Sequence, residues 1–240
     1  MNSFLEFLGN GWWQLIVTAV VGYLLGSINF AIIITRIVDK NKDIRKMGSG
    51  NAGFTNVLRS VGKGPAVFTI VFDFVKAVIA VIVGGILFST IAASGDVQSG
   101  EFSCYGKYLA GLCCIVGHMF PVYFGFKGGK GVVTTAALIA VAEWRVFLVI
   151  IILFLIIFIV SKIISLGSLI CAVCYPIATF AFTFFVDYLP DAGTQNQHSL
   201  TYVIVSTLFT LLIGLCVIIK HKGNIQRLIN GTEKKITAKK

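Results

Sequence analysis

Charge is scarce in this chain: Asp, Glu, Lys and Arg together make up 12% of its 240 residues, while 57% are hydrophobic. That balance, with a mean hydropathy of +0.91, excludes a soluble domain and points to an integral membrane protein. Histidine is also scarce, at His118, His198 and His221. No Ser-His-Asp or Cys-His arrangement surrounds them, and the carboxylates are too scattered to form an acid/base pair, so the chemistry must proceed without a protein nucleophile. The six cysteines lie mostly inside apolar runs. Cys171-x-x-Cys174 has no second pair of ligands and reads as small core residues, so neither a metal nor any other cofactor is expected. The Met1 to Gly11 stretch has no Lys or Arg and so lacks the basic start of a secretory signal. No repeat or soluble linker interrupts the chain, which reads as a single membrane-embedded domain over 1–240.

A helix crossing about 30 Å of hydrocarbon needs roughly 20 apolar residues. Runs near that length predict seven spans, at 14–35, 64–92, 107–125, 131–144, 146–160, 168–187 and 200–219. The fourth is short, and fusing it with the fifth would leave six. Lys and Arg collect in short cytoplasmic loops, so their positions decide between the two counts. With seven spans and the N-terminus outside, 17 of the 20 Lys and Arg fall inside, from Arg36 to Lys63, at Lys127, Lys130 and Lys162, and from Lys220 to Lys240. Lys107 and Arg145 fall outside, as do Glu6, Asp96, Glu101, Glu143, Asp187 and Asp191, and Lys76 lies within a span. The expected fold is therefore an all-α integral membrane protein of seven transmembrane helices, its C-terminus cytoplasmic. The net charge of +10 would suit nucleic acid. Its cations flank membrane spans instead, so membrane lipid headgroups and phosphorylated substrates are the expected partners, not nucleic acid.

Four polar segments fall on the inner side: Arg45 to Arg59, Phe126 to Thr135, Ser161 to Ser168 and His221 to Glu233. In the first, Gly48-Ser49-Gly50-Asn51 offers flexible backbone with a hydroxyl and an amide, followed by Thr55, Asn56 and Arg59; a tight turn with a solvated basic rim is the alternative. In the second, Lys127-Gly128-Gly129-Lys130-Gly131 stands directly before an apolar helix opening Val132-Val133-Thr134-Thr135. Backbone N–H groups at a helix start, close approach at glycine and a lysine charge make a phosphate cradle, although the spacing is not that of a Walker A loop. His118, late in the third span, either braces this loop or faces substrate, with bracing favoured. Asp73 and Lys76, at i and i+3 inside the second span, can pair on one face. His221 and Asn224 share a face if the tail starts helical. His198, in the outer Gln195 to His198 loop, reads as solvated surface.

Together these segments resemble the bacterial membrane acyl-phosphate:glycerol-3-phosphate acyltransferases. The resemblance rests on Gly26-Ser27-Ile28, Gly48 to Asn51 through Thr55-Asn56-Val57 to Arg59, Asp73-x-x-Lys76, Gly117-His118 through Pro121-Val122, Lys127 to Val132, Ser165-Leu166-x-Ser168, and His221 through Asn224, Arg227, Leu228, Gly231 and Glu233. It implies a seven-helix fold and transfer of a fatty acyl group from acyl phosphate to the 1-hydroxyl of glycerol 3-phosphate. By that likeness Ser49, Arg59, Lys130, His221 and Asn224 grip glycerol 3-phosphate, with Ser49, Lys130 and His221 closest to the chemistry. Gly128, Gly129, Lys130, Gly131 and Thr134 hold the acyl phosphate, and Asn51, Asp73, Lys76, His118 and Glu233 support the site. An acyl-phosphate-forming enzyme and a lysophosphatidate acyltransferase would stand on either side of the reaction, and the setting would be the bacterial inner membrane with the active site facing the cytoplasm. Asn29, Phe54, Val133 and Lys222 stand where that family usually has proline, a small residue, alanine and arginine. The His-x-x-x-x-Asp mechanism of another acyltransferase class is excluded, because Tyr123, Val203 and Gln226 lie five residues after the three histidines. The rival class, a transporter of a phosphorylated metabolite, would place its polar groups near mid-membrane; only Asp73 and Lys76 lie that deep.

Overall fold

The computed structural model describes residues 11–91, 97–194 and 197–236. Expectations placed on Met1 to Asn10, Asp96, Gln195-Asn196 and Lys239-Lys240 lie outside these residues. The described residues are helical and contain no strand. Backbone proximity divides the chain into two compact units, 1–142 and 143–240.

The first unit holds α1 (Trp12–Ser27), α2 (Phe30–Val38), α3 (Phe54–Ser60), α4 (Lys63–Ser89), α5 (Val97–Met119) and α6 (Val132–Ala142). Short 3₁₀ turns at Ile44–Lys46 and Val122–Phe124 lie in its loops. The second holds α7 (Trp144–Ser161), α8 (Ile164–Phe182) running on into a π-helical turn at Thr183–Tyr188, α9 (Leu200–Lys220) and α10 (Lys222–Ile229). Among the described residues, six stretches are long and apolar enough to cross a membrane: Trp12–Val38, Lys63–Ser89, Gly100–Phe124, Trp144–Ser161, Ile164–Tyr188 and Leu200–Lys220. α6, the weak fourth span of the sequence reading, is only 11 residues long, a rise of about 16 Å.

α4 shows how these helices are sorted. Its buried face is small or polar, with Ala66, Thr69, Asp73, Lys76, Ala77, Ala80 and Gly84 recurring at helical spacing. Its opposite face exposes Phe68, Phe72, Val75, Ile79 and Ile86. Large apolar groups outward and small groups inward suit helices that pack in lipid, where close backbone approach replaces the hydrophobic effect as the source of contact. Gly84 and Gly106 set one such approach between α4 and α5: a Cβ on either would lie 2.4 or 2.2 Å from the other's carbonyl oxygen.

Two features depart from the expectation. The helix of the third span, α5, begins ten residues before its apolar run, because it opens on a polar stretch whose Glu101 is buried. The first span is broken between Ser27 and Phe30, where Asn29 turns the chain and caps α2 by accepting from the Ile32 N–H at 3.1 Å. In the second unit, Glu143, Arg145 and Asp187 are not scattered surface charges. Arg145 grips Glu143 at 2.7 and 2.6 Å and Asp187 at 2.8 and 2.9 Å, joining the start of α7 to the π-helical turn.

Candidate active site

In the first unit the loop from Arg45 to Arg59 is organised by Asn56, a residue the sequence reading gave no special part. Its amide nitrogen donates to the carbonyls of Ile44, Met47 and Asn51 at 3.0, 2.9 and 3.0 Å, and its oxygen accepts from the Ser49 N–H at 3.0 Å. One buried amide thus holds the loop's backbone to the first turn of α3, leaving Ser49 and Arg59 exposed. The available signal was an amide next to Val57 in a run that would otherwise be an ordinary amphipathic helix. Phe54, the departure noted above, packs on the apolar cluster of Ala31, Ile32, Ile44, Ala52, Val57 and Ala66.

The glycine loop lies directly against this one. A Cβ on Gly129 would sit 2.2 Å from His118 Nε2 and 2.6 Å from the Ala52 carbonyl oxygen. The Gly129 N–H donates to the His118 carbonyl at 3.1 Å. Gly131, with φ +77, turns the chain into α6, whose opening N–H groups have no partner one turn earlier in the helix. Just inside that helix, the hydroxyls of Thr134 and Thr135 are buried without a hydrogen-bond partner among the described residues. A buried hydroxyl left unpaired costs free energy unless something occupies the space beside it. Backbone N–H groups at a helix start and two unpaired hydroxyls are donors of the kind that can hold an anion.

Behind the two loops lies a charged group inside the membrane span. Lys76 Nζ, 2.7 Å from Asp73, donates to the carbonyls of Gly26, at 3.1 Å, and Ile28, and meets His118 Nδ1 at 3.1 Å. The two carbonyls are among those freed by the break between α1 and α2, so the lysine satisfies backbone that lipid could not. Asn29 Nδ2 donates to the same Ala52 carbonyl that faces Gly129, at 3.3 Å. Sequence spacing revealed the Asp73–Lys76 pair but not its link to the helix break, 48 residues away.

In the second unit, His221 is buried at the junction of α9 and α10, and its Nδ1 lies 2.7 Å from the Val217 carbonyl. A carbonyl only accepts, so Nδ1 carries a proton toward Val217. Asn224, also buried, stands one turn later. Glu233 gathers this tail: it accepts from Ser165 and Asn224 on one oxygen and from Arg227 on the other, each at 2.7 Å. The Ile236 N–H donates to the Lys162 carbonyl at 2.8 Å. The segment from Ser161 to Ser168, whose part the sequence left open, is thus the dock for the C-terminal tail.

Burial alone would raise the Glu233 pKa, but the hydrogen bonds from Ser165, Arg227 and Asn224 outweigh it and hold the carboxyl below its usual range. A carboxyl so depressed stabilises the docked tail above its unfolded pKa of about 4.3 and loses that contribution as pH falls further. Tryptic cleavage after Arg227 should therefore be several-fold faster in Glu233→Gln at neutral pH, because an amide has one accepting oxygen where three donors converge. Equal cleavage rates would show that Glu233 does not hold the tail.

The sequence model of the family described as glycerol-3-phosphate acyltransferase matches residues 16–231. This chain belongs to the glycerol-3-phosphate acyltransferase family. A relative of that name from Mesorhizobium japonicum is 37% identical over 94% of this chain and 97% of its own length. One from Shouchella clausii is 37% identical over 94% of this chain and 98% of its own. Among solved structures, the crystal structure of PlsY (YgiH), an integral membrane glycerol 3-phosphate acyltransferase, in its glycerol 3-phosphate form has a TM-score of 0.72. It is 32% identical and covers 93% of this chain and 96% of PlsY. The lysophosphatidic acid form gives a TM-score of 0.69 at 30% identity, covering 93% and 95%. With six membrane-length apolar stretches among its described residues, this member of the family is a multi-pass membrane enzyme. Asn29 makes the turn between α1 and α2 by capping α2.

Proposed function

We infer that the chain, acting as one acyltransferase domain, transfers a fatty acyl group from acyl phosphate to the 1-hydroxyl of glycerol 3-phosphate, releasing lysophosphatidic acid and phosphate. The observation that carries this reading is the pair of buried, unpartnered hydroxyls of Thr134 and Thr135 behind the glycine–lysine loop, in a chain of this family. An acyl phosphate is a mixed anhydride with a good leaving group, so the protein needs to position two substrates and stabilise developing negative charge.

In this mechanism the loop from Gly128 to Gly131, with Lys130 and Thr134, holds the phosphate of the acyl donor. Ser49, Arg59, Lys130, His221 and Asn224 grip glycerol 3-phosphate; Arg59 and Lys130 offset the repulsion between the two phosphates. His221 Nε2 orients the acceptor hydroxyl, whose oxygen attacks the acyl carbon. The bond from carbonyl carbon to bridging oxygen breaks, and the departing phosphate takes the hydroxyl proton. Asn51, Asp73, Lys76, His118 and Glu233 keep these groups in place. α6 completes seven crossings, with its N-terminus recessed below the cytoplasmic surface of a bacterial inner membrane, the chain's N-terminus outside and its C-terminus inside. An enzyme forming acyl phosphate supplies the donor, and a lysophosphatidate acyltransferase consumes the product.

Purified protein given palmitoyl phosphate and glycerol 3-phosphate should form lysophosphatidic acid and phosphate in equal amounts. Product from acyl-CoA or acyl carrier protein, with none from palmitoyl phosphate, would overturn the donor. In the same assay His221→Ala should raise the glycerol 3-phosphate KM as well as lower kcat, by tenfold or more in kcat/KM (roughly 1.4 kcal/mol per tenfold). A fall in kcat at unchanged acceptor affinity would make the histidine a general base.

A further inference from the structure

A cavity of about 590 Å³ in the first unit is lined by Arg36, Asp43, Arg45, Lys46, Tyr123 and Lys127, among others. None of these residues belongs to the groups assigned above to either substrate. The cavity lies where two membrane spans end, since Arg36 closes the stretch Trp12–Val38 and Tyr123 the stretch Gly100–Phe124. Its charges fall into two classes. Arg45 is committed: it holds Asp43 at 2.7 Å and donates to the Phe124 carbonyl at 2.6 Å. The Arg45 guanidinium keeps the Asp43 carboxyl at a pKa of about 2, so its charge is already answered. Arg36 approaches Asp43 only at 4.0 Å with half its side chain exposed, and no hydrogen bond or ion pair to Lys46 or Lys127 occurs among the described residues. Three cations thus converge on a cavity whose single acid is neutralised.

The surroundings say which anion fits. Beside Arg36 and Lys127 in the chain stand Ile37, Val38 and Phe126, exposed at 76%, 54% and 58%, and Tyr123, exposed at 55%, lines the cavity itself. A small soluble anion gains nothing from such apolar surface, whereas a lipid places its phosphate at the cations and its glycerol and acyl carbons on the apolar neighbours. We propose that this cavity binds the phosphodiester headgroup of an anionic membrane phospholipid. Lys46 lies three residues before Ser49 and Lys127 one before Gly128, so a bound headgroup bridges the two loops that hold Ser49 and the glycine cradle. Any effect of that bridge on turnover rests on the acyltransferase reading; the binding itself does not.

The test therefore reads binding, not activity. The full chain is titrated with phosphatidylglycerol in micelles of a neutral detergent, and lipid retained per chain is counted by native mass spectrometry. The double variant R36Q/K46Q should weaken retention on the order of tenfold or more. R36K/K46R, which keeps both charges, should retain the lipid. K40Q/K42Q removes two cations from the same loop outside the cavity and should match the unaltered chain. Equal loss in both glutamine doubles, or no loss in R36Q/K46Q, overturns the proposal. So does displacement of the lipid by inorganic phosphate as readily as by phosphatidylglycerol, which would make this a site for a free anion. Failure of any of these leaves the palmitoyl phosphate assay untouched.

Discussion

Gly129→Ala should lower turnover by about a hundredfold or more while the chain still folds, because displacement of about 1 Å at reacting groups has that effect. The methyl group would lie 2.2 Å from His118 Nε2 and 2.6 Å from the Ala52 carbonyl oxygen, and a real Cβ does not come within 3.0 Å of such atoms. Neither neighbour can yield cheaply. The histidine ring is held at Nδ1 by Lys76 at 3.1 Å, and the Ala52 carbonyl is backbone already bonded to Asn29 at 3.3 Å. The loop must therefore move, and with it Lys130, which follows directly. Gly64→Ala is the matched control, for a Cβ there meets nothing within 4 Å at the start of α4. Phosphate release from palmitoyl phosphate, measured beside the melting temperature of each variant, checks the expectation. Full turnover in Gly129→Ala would remove the glycine loop from the chemistry.

The glycine loop was visible in the sequence because its chemistry is local: three glycines, a lysine and the start of an apolar helix are consecutive. Six of the expected spans were visible for the same reason, each being a run of apolar residues near the length that hydrocarbon requires. What escaped were the contacts that depend on distant partners. Asn56 binding three carbonyls, Lys76 reaching back to Gly26 and Ile28, and Glu233 reaching back to Ser165 are contacts between separated segments, and no local period records them. The break at Asn29 was hidden inside a continuous apolar run, where a single amide changes hydropathy little. The start of α5 was hidden for the opposite reason, since its polar first turns lower the apolar signal although Glu101 is buried. Hydropathy measures what lipid tolerates, while the site is built from what other parts of the chain satisfy.

Lys76→Met should destabilise the folded protein by about 3–5 kcal/mol, the usual result of stripping one partner from a buried charge pair. Both side chains are almost wholly enclosed, at 4% exposure for Lys76 and 3% for Asp73. Besides releasing His118 Nδ1, this variant has two effects that can be separated. The first is the charge left on Asp73, which Asp73→Asn removes. The second is backbone: the carbonyls of Gly26 and Ile28 lose their donor, at about 1–3 kcal/mol for each buried acceptor left unpaired. The double variant D73N/K76M should therefore recover only part of the loss, read as melting temperature in detergent. Full recovery would mean that Lys76 serves its aspartate alone and that the helix break holds itself. Partial recovery with turnover still depressed would instead locate the lysine's main contribution at the broken first span, from which His118 and the glycine loop take their position.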